Sequence, residues 1–271
     1  MDTNTHSGSK NIADAIAKSR EVHGIALIPY VTVGFPTLED TVPIVVELEK
    51  AGASIVELGV PYSDALADGP TIQSASYRAL GNGVTSKTCI DIVKDIRKAG
   101  VKLPLIFMGY YNPILSFGIQ EYALECSKAG LQGLIIPDLP PEEADLMHQS
   151  LKAYGLALIS LLAPTSSSER ILKACDGANG FIYCVSVAGI TGLRSELPTD
   201  LKVFIDRVRE KTSLPLGVGF GVSQRSHVQA LSSLVECAIV GTQMINVIDS
   251  SPPNSRSYNA GNYVRELLGI S

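Results

Sequence analysis

Short apolar runs alternate along this chain with amphipathic stretches, and the alternation repeats from one end to the other. Three amphipathic stretches close on the same punctuation: Lys50-Ala51-Gly52, Lys98-Ala99-Gly100 and Lys128-Ala129-Gly130. A glycine just past a helix takes the left-handed backbone conformation there, and a lysine in the last turn suits the helix dipole. These stretches therefore read as helices. Thr37-x-x-Asp40 resembles a capping box at the start of the first, and Cys89, Ile92, Val93 and Ile96 share one face of the second. The runs that follow are continuously apolar, as strands buried on both faces are.

The strand candidates are 26–32, 54–60, 103–110, 133–138, 156–163, 180–186, 214–220 and 237–242. Helical patterns at 142–153, 168–175, 201–212 and 223–231 separate the later ones. Eight β/α units in roughly 250 residues fit a single-domain (β/α)8 TIM barrel. A doubly wound open sheet uses the same alternation and remains the other α/β arrangement. An extra N-terminal helix, 12–20, precedes the first strand and is placed to plug the barrel floor. Residues 250–262, rich in Ser, Pro and Asn, read as a loop before a short helix at 263–268. No domain boundary interrupts the pattern, so the expected organisation is a flexible polar tail over 1–9 and one domain over 10–271.

Composition narrows the class. The 271 residues are 45% hydrophobic and 18% charged, which excludes a disordered chain, a collagen-like fibre and a heptad rod. A net charge of -5 speaks against nucleic-acid binding by phosphate neutralisation. The five cysteines lie far apart with no C-x-x-C pair, which fits a reduced cytoplasmic protein better than a disulfide framework. The four histidines cluster neither with each other nor with cysteine, so a zinc site is not expected. The first nine residues lack a basic and an apolar region of a secretory signal. No apolar run approaches the roughly 18 residues of a membrane span, so no membrane association is expected.

In a barrel, chemistry sits at the C-terminal ends of the strands and in the loops that follow. The densest such loop is Glu57-Leu58-Gly59-Val60-Pro61-Tyr62-Ser63-Asp64-Ala65-Leu66-Ala67-Asp68-Gly69-Pro70. Glu57 interrupts an apolar strand and, by alternation, points into the barrel with Ile55 and Gly59. Desolvation there raises its proton affinity toward values useful for proton transfer. Asp68, in the loop and more exposed, is expected to stay ionised, and two carboxylates in unlike surroundings can divide acid and base roles. The plainer reading makes Glu57 a hydrogen-bonded orienter and Asp68 a cap for the next helix.

Gly217-Val218-Gly219-Phe220-Gly221 after the seventh strand and Gly241-Thr242 after the eighth fall where barrels commonly bind phosphate. Ser223 and Thr242 offer hydroxyls. Neither loop carries lysine or arginine, so binding there would rest on backbone N–H groups and a helix dipole. The segment 186–194 after the sixth strand, with glycines flanking Thr191, reads either as a flap over a ligand or as a plain loop. No lysine stands at a strand's C-terminal end for a Schiff base, and no histidine is placed for a zinc aldolase. Acid–base chemistry by carboxylates on a phosphorylated substrate remains.

Residues 57–70 resemble the signature of the tryptophan synthase α chain family, E-L-G-x-P-[FY]-S-D-P-x-A-D-G-P. The likeness continues in family order through Pro29-Tyr30-Val31-Thr32, Tyr110-Tyr111-Asn112-Pro113, Pro137-Asp138-Leu139-Pro140, Gly189-Ile190-Thr191-Gly192 and Gly219-Phe220-Gly221. The resemblance implies a lyase that uses neither metal nor cofactor and cleaves indole-3-glycerol phosphate to indole and glyceraldehyde 3-phosphate in L-tryptophan biosynthesis. On it, Glu57 matches the general acid–base residue and Asp68 the carboxylate that accepts the indole N–H. Tyr30, Met108, Ile135 and Leu161 match the indole wall, Tyr183 a substrate-site tyrosine and Thr191 the flap threonine. Gly192, Gly221, Gly241 and Thr242 match phosphate-binding positions. The expected partner is a pyridoxal-phosphate β subunit in an α2β2 heterotetramer, met by the catalytic face near Asp64 and Asn112.

The chain departs from the family pattern at four places. Phe35 stands where Asp is frequent, Ala65 replaces the signature proline, Ala188 sits where the flap often has Ser or Thr, and Thr242 replaces Ser. Ala65 loosens the loop that carries Asp68. A sugar-phosphate isomerase or epimerase is the competing enzyme and would want polar groups where the apolar wall is expected. A subunit kept only for its interaction surface is the non-enzymatic alternative, which intact Glu57 and Asp68 oppose.

Overall fold

A computed structural model describes residues 8–185, 199–219 and 221–270. Eight parallel strands close into a barrel in sequence order: β1 (Ala26–Thr32), β2 (Val56–Gly59), β3 (Leu105–Met108), β4 (Gly133–Ile135), β5 (Ala157–Leu162), β6 (Ile182–Val185), β7 (Leu216–Gly219) and β8 (Cys237–Val240). The last strand pairs with the first, Ala26 opposite Cys237 and Pro29 opposite Val240, so the open-sheet alternative falls. β1 has its expected bounds, and the other seven strands are shorter than their apolar runs.

The helices are α1 (Gly8–His23), α2 (Leu38–Lys50), α3 (Pro70–Gly81), α4 (Ser86–Lys98), α5 (Tyr111–Phe117), α6 (Ile119–Ala129), α7 (Asp145–Ala153), α8 (Ser168–Gly177), α9 (Thr199–Arg209), α10 (Arg225–Ser232), α11 (Thr242–Ser250) and α12 (Arg256–Leu268). The predicted endings of α2, α4 and α6 hold: Gly52, Gly100 and Gly130 all take positive φ, between 90° and 95°. The capping box at Thr37 does not form. Its hydroxyl donates to the Asp40 carboxylate at 2.9 Å and accepts no backbone N–H, and the same carboxylate pairs with Arg256. Thr85 and Thr88 build the reciprocal box at α4.

Alternation along the strands sorts the apolar residues into two sets. One faces outward and packs under the helices. The other fills the barrel: Ala26, Ile28, Ile55, Ile106, Ile135, Ala157, Ile159, Phe181, Cys237 and Ile239, joined from below by Ile12 and Ile16 of α1. The N-terminal helix thus closes the floor as expected, and it starts earlier than expected. Gly8 and Ser9, assigned to the polar tail by the sequence pattern, are its first residues. The Gly8 N–H donates to the Gly155 carbonyl and the Ser9 hydroxyl accepts from the Gly180 N–H, which ties the start of the helix to the barrel rim.

The second correction is at the other end. The expected loop over 250–262 is a short 3-10 turn, Pro253–Ser255, followed by α12 from Arg256. Its Ser- and Asn-rich first turns have poor helix propensity, and burial overrides it. Ala260, Gly261, Tyr263, Val264 and Leu267 are buried. Arg256 and Asp40 pair at 2.7 Å in a largely enclosed contact between α12 and α2. All five cysteines are buried free thiols. Among the described residues no helix is long and apolar enough to cross a membrane.

The floor should carry a measurable share of stability. Ile12 is fully buried, so Ile12→Ala lowers unfolding free energy by roughly 2–5 kcal/mol. Urea unfolding checks this, and a midpoint unchanged from wild type would show that the helix is not part of the core.

Candidate active site

A cavity of about 760 Å³ opens at the C-terminal end of the barrel. Its lining includes Tyr30, Glu57, Asp68, Met108, Leu161, Tyr183, Gly221, Gly241 and Thr242, brought together from seven of the eight strands or the loops that follow them. Ile135 does not line it. Inward positions on β4 alternate, so Ile135 lies one layer down in the apolar interior and Pro137 reaches the cavity in its place. Thr191, Gly192 and Ala188 lie outside the described residues, as does Phe220.

Glu57 sits at the top of the interior core, opposite Tyr30 on β1 and Ile106 on β3, with 1% of its surface exposed. Its Oε2 is buried without a hydrogen-bond partner. Among the described residues, that oxygen lacks the partner which the orienter reading calls for. Burial first, and the nearby Asp68 charge second, push its carboxyl up to about 8, so it carries a proton at neutral pH. Two flanking phenols reach the same space because glycines yield it. A Cβ on Gly59 would overlap the Tyr30 hydroxyl, and one on Gly219 would overlap that of Tyr183. Gly219, expected as part of a phosphate loop, thus makes room for a tyrosine.

Asp68 is half-buried and does not cap α3, whose N-cap is Gly69. Desolvation raises its carboxyl to about 6, and a hydrogen bond from Tyr110 opposes the rise. It therefore remains largely ionised at neutral pH beside a protonated Glu57. The loop carrying it is anchored despite Ala65. Ala65 is buried, the Gln73 side-chain amide donates to the carbonyls of Ala65 (3.1 Å) and Asp68 (2.9 Å), and the Tyr110 hydroxyl accepts the Ala67 N–H at 3.0 Å. Phe35 is also accommodated: it is buried, and the Arg78 guanidinium lies over its ring at 4.6 Å.

The opposite end of the cavity is polar and neutral. Gly221 has φ 82°, a conformation that glycine takes without strain. Gly241 is the N-cap of α11, whose first turn begins with Thr242, so free N–H groups and the positive end of the helix border the cavity. The loop between is braced from outside the barrel. His227 of α10 is buried and its Nδ1 accepts the Ser223 N–H at 3.3 Å, while Tyr263 of α12 donates to the Ser223 carbonyl at 3.0 Å.

Two features escaped the sequence reading. Tyr110 contacts Asp68 directly, across 42 positions of chain that no local pattern links. Thr165, Ser166, Ser167 and Arg170 after β5 also line the cavity, and Arg170 is the cation among the described lining residues. Arg207 of α9 holds that turn through the carbonyls of Pro164 and Ser166. The exposed pair Asp64 and Asn112 stands on the same face, Asn112 donating to the Tyr62 hydroxyl at 3.3 Å.

Comparison with known proteins agrees with this arrangement. Residues 16–266 match the family model described as tryptophan synthase alpha chain. The chain is 48% identical to the tryptophan synthase alpha chain of Roseiflexus sp. over 95% of its length and 99% of the relative's. It is 41% identical to the tryptophan synthase of Saccharomyces cerevisiae over 96% of its own length, which spans 37% of that longer protein. The crystal structure of the tryptophan synthase alpha chain from Legionella pneumophila superposes with a TM-score of 0.87 at 34% identity, covering 96% of each chain.

The buried carboxyl makes stability depend on pH. Glu57 binds its proton more tightly in the folded chain, near 8, than at the ordinary 4.5, so its contribution is complete below 4.5 and lost as pH rises through 8. The loss between about pH 5 and 8 is on the order of 3 kcal/mol. Unfolding of wild type and Glu57→Gln across this range measures it: the difference between the two should shift in favour of the variant as pH rises. A pH-independent difference would mean that Glu57 is not held protonated.

Proposed function

The chain belongs to the tryptophan synthase alpha chain family, and from that membership we propose how its cavity divides the chemistry. The reaction is the carbon–carbon lyase step of L-tryptophan biosynthesis, cleavage of indole-3-glycerol phosphate to indole and glyceraldehyde 3-phosphate. An indole carbon leaves poorly as an anion, so ring carbon C3 must be protonated before the bond to the glycerol chain breaks. Glu57 donates that proton. Asp68 accepts the hydrogen bond of the ring N–H and stabilises the positive charge that develops on nitrogen. Glu57, now ionised, takes the proton of the glycerol hydroxyl. The carbon–carbon bond then breaks, its electrons return to the ring, and the aldehyde and indole form with the acid restored.

One observation carries this assignment: a protonated carboxyl, one oxygen of which is buried without a partner among the described residues, shares a cavity with a second, largely ionised one. Tyr30, Met108 and Leu161 supply the apolar wall for the ring, with Tyr183 beside Leu161 on the neighbouring strand, while Ile135 supports from beneath. The wall favours indole over an open sugar chain. The phosphate goes to the glycine loops after β7 and β8, at Gly221, Gly241 and Thr242, and the family resemblance alone adds Thr191 and Gly192.

The partner is a pyridoxal-phosphate β subunit, which consumes indole before it escapes, in an α2β2 assembly of the cytoplasm. The longer yeast relative, of which this chain matches about a third, fits a pairing of the lyase with a second function. Asp64 and Asn112 lie exposed on the catalytic face, where a docked subunit reaches the loop carrying Asp68. Docking stimulates the lyase if the bound state favours the catalytic arrangement of that loop.

The chemistry predicts a bell-shaped pH profile of kcat/KM, rising as Asp68 ionises near 6 and falling as Glu57 ionises near 8. Glu57→Gln removes the basic limb by removing turnover itself, lowering kcat by about 10²–10⁴. Asp68→Asn is comparably impaired. Indole release decides the point, and the chain, having no tryptophan, adds no tryptophan emission of its own. A Glu57→Gln enzyme with a tenth of wild-type kcat would sink the assignment.

Partner stimulation has its own measurement. Indole release rises when a matched β subunit is added, and Asp64→Ala diminishes the rise. Equal rates with and without the partner, in a complex confirmed by sedimentation, would refute the coupling.

A further inference from the structure

We propose that Tyr110 is a positioning residue for the lyase reaction, its hydroxyl holding the Asp68 carboxylate in place and keeping that carboxylate ready for the ring N–H. The inference rests on the role of Asp68 given above and extends it to a side chain outside the cavity lining.

Tyr110 stands just past β3, on the stable scaffold, whereas Asp68 belongs to the long loop after β2. The phenol bridges the two. It is buried, accepts the Ala67 N–H at 3.0 Å and donates to Asp68 Oδ2 at 3.0 Å, so one oxygen holds both the backbone and the carboxylate of the loop. The ring itself is held by Tyr62, with centroids 5.2 Å apart and planes 33° apart, and Tyr62 in turn accepts from Asn112 at the rim. The next residue, Tyr111, donates its N–H to the Asp138 carboxylate, which pins the turn carrying the phenol.

The arrangement leaves Asp68 one carboxylate oxygen for the substrate. A hydroxyl that donates to an ionised carboxylate favours the ionised form. The other ionisable groups whose fields are felt between themselves and Asp68 are Glu57 on β2, Tyr30 on β1 and Tyr183 on β6. Among the described residues, none of these three bonds to the carboxylate, whereas Tyr110 does and favours its charge. Without the hydroxyl, Asp68 would hold its proton to higher pH and its loop would lose the tie to β3. A residue that served only to fill space would produce neither effect.

The test is Tyr110→Phe in the full chain, assayed for indole release across pH beside Asp68→Asn. The expected result is a kcat reduced about tenfold, the scale of one hydrogen bond to a charged group, with KM changed much less. The acidic limb of kcat/KM moves upward from its wild-type position near 6. An unmoved limb and wild-type kcat in Tyr110→Phe, beside an inactive Asp68→Asn, would overturn this proposal alone. An active Asp68→Asn would overturn the role of Asp68 and this proposal with it. Should Tyr110→Phe fail to fold, 3-fluorotyrosine placed at position 110 keeps the shape and donates more strongly. The acidic limb then moves to lower pH, and a limb that stays in place refutes the inference.

Discussion

A carboxyl group stands at the top of an apolar barrel with one of its oxygens unpartnered, and the surrounding architecture follows from that placement. Ionised, Glu57 would be a charge taken out of water with nothing to offset it, so it keeps its proton at neutral pH. The cost is tolerable because the layers below it, Ile28, Ile55, Ile106, Ile135, Ile159 and Phe181, form a continuous core sealed by α1. A parallel barrel covered on both faces supplies a rigid, dry seat of this kind.

The rest of the cavity is organised around keeping other charge away from Glu57 or holding it still. Asp68 lies further out, half in solvent, and meets a hydroxyl donor, so two identical functional groups come to opposite protonation states within one cavity. The end bordered by Gly221 and Gly241 offers the N-terminus of α11, a dipole fixed by the fold rather than a mobile cation. Arg170 brings a cation to the mouth without entering either glycine loop.

The loops around the cavity are anchored by side chains from outside those loops. Gln73 of α3 and Tyr110 beyond β3 hold the Asp68 loop, Arg207 of α9 holds the turn after β5, and His227 with Tyr263 holds the loop after β7. Each anchor is a side chain from the outer helical ring or a neighbouring strand end that closes on a backbone group. A barrel is suited to this because consecutive loops are neighbours in space, so one unit can steady the next.

How much of this was legible before folding depends on the range of the forces involved. Alternation and glycine punctuation are local, and they marked all eight strands, the ends of α2, α4 and α6, the inward direction of Glu57 and the glycines after β7 and β8. The resemblance of residues 57–70 to a family signature supplied the roles of Glu57 and Asp68. Where burial overrode local propensity, the reading failed: α12 forms in a Ser- and Asn-rich stretch because its apolar face docks on α2, and Gly8 and Ser9 join α1 because Gly155 and Gly180 meet them. Thr37 caps no backbone N–H, and the Asp40 carboxylate that it meets pairs with Arg256 across 216 positions. The layer in which Ile135 sits, the space that Gly59 and Gly219 leave for two phenols, and the bond from Tyr110 to Asp68 are likewise contacts between distant segments. The sequence by itself determined which residues alternate, where elements end and which groups can ionise, since those depend on neighbours along the chain. Only the closed barrel decided which groups meet and which carboxyl loses its water, because desolvation and hydrogen bonding depend on distances in space.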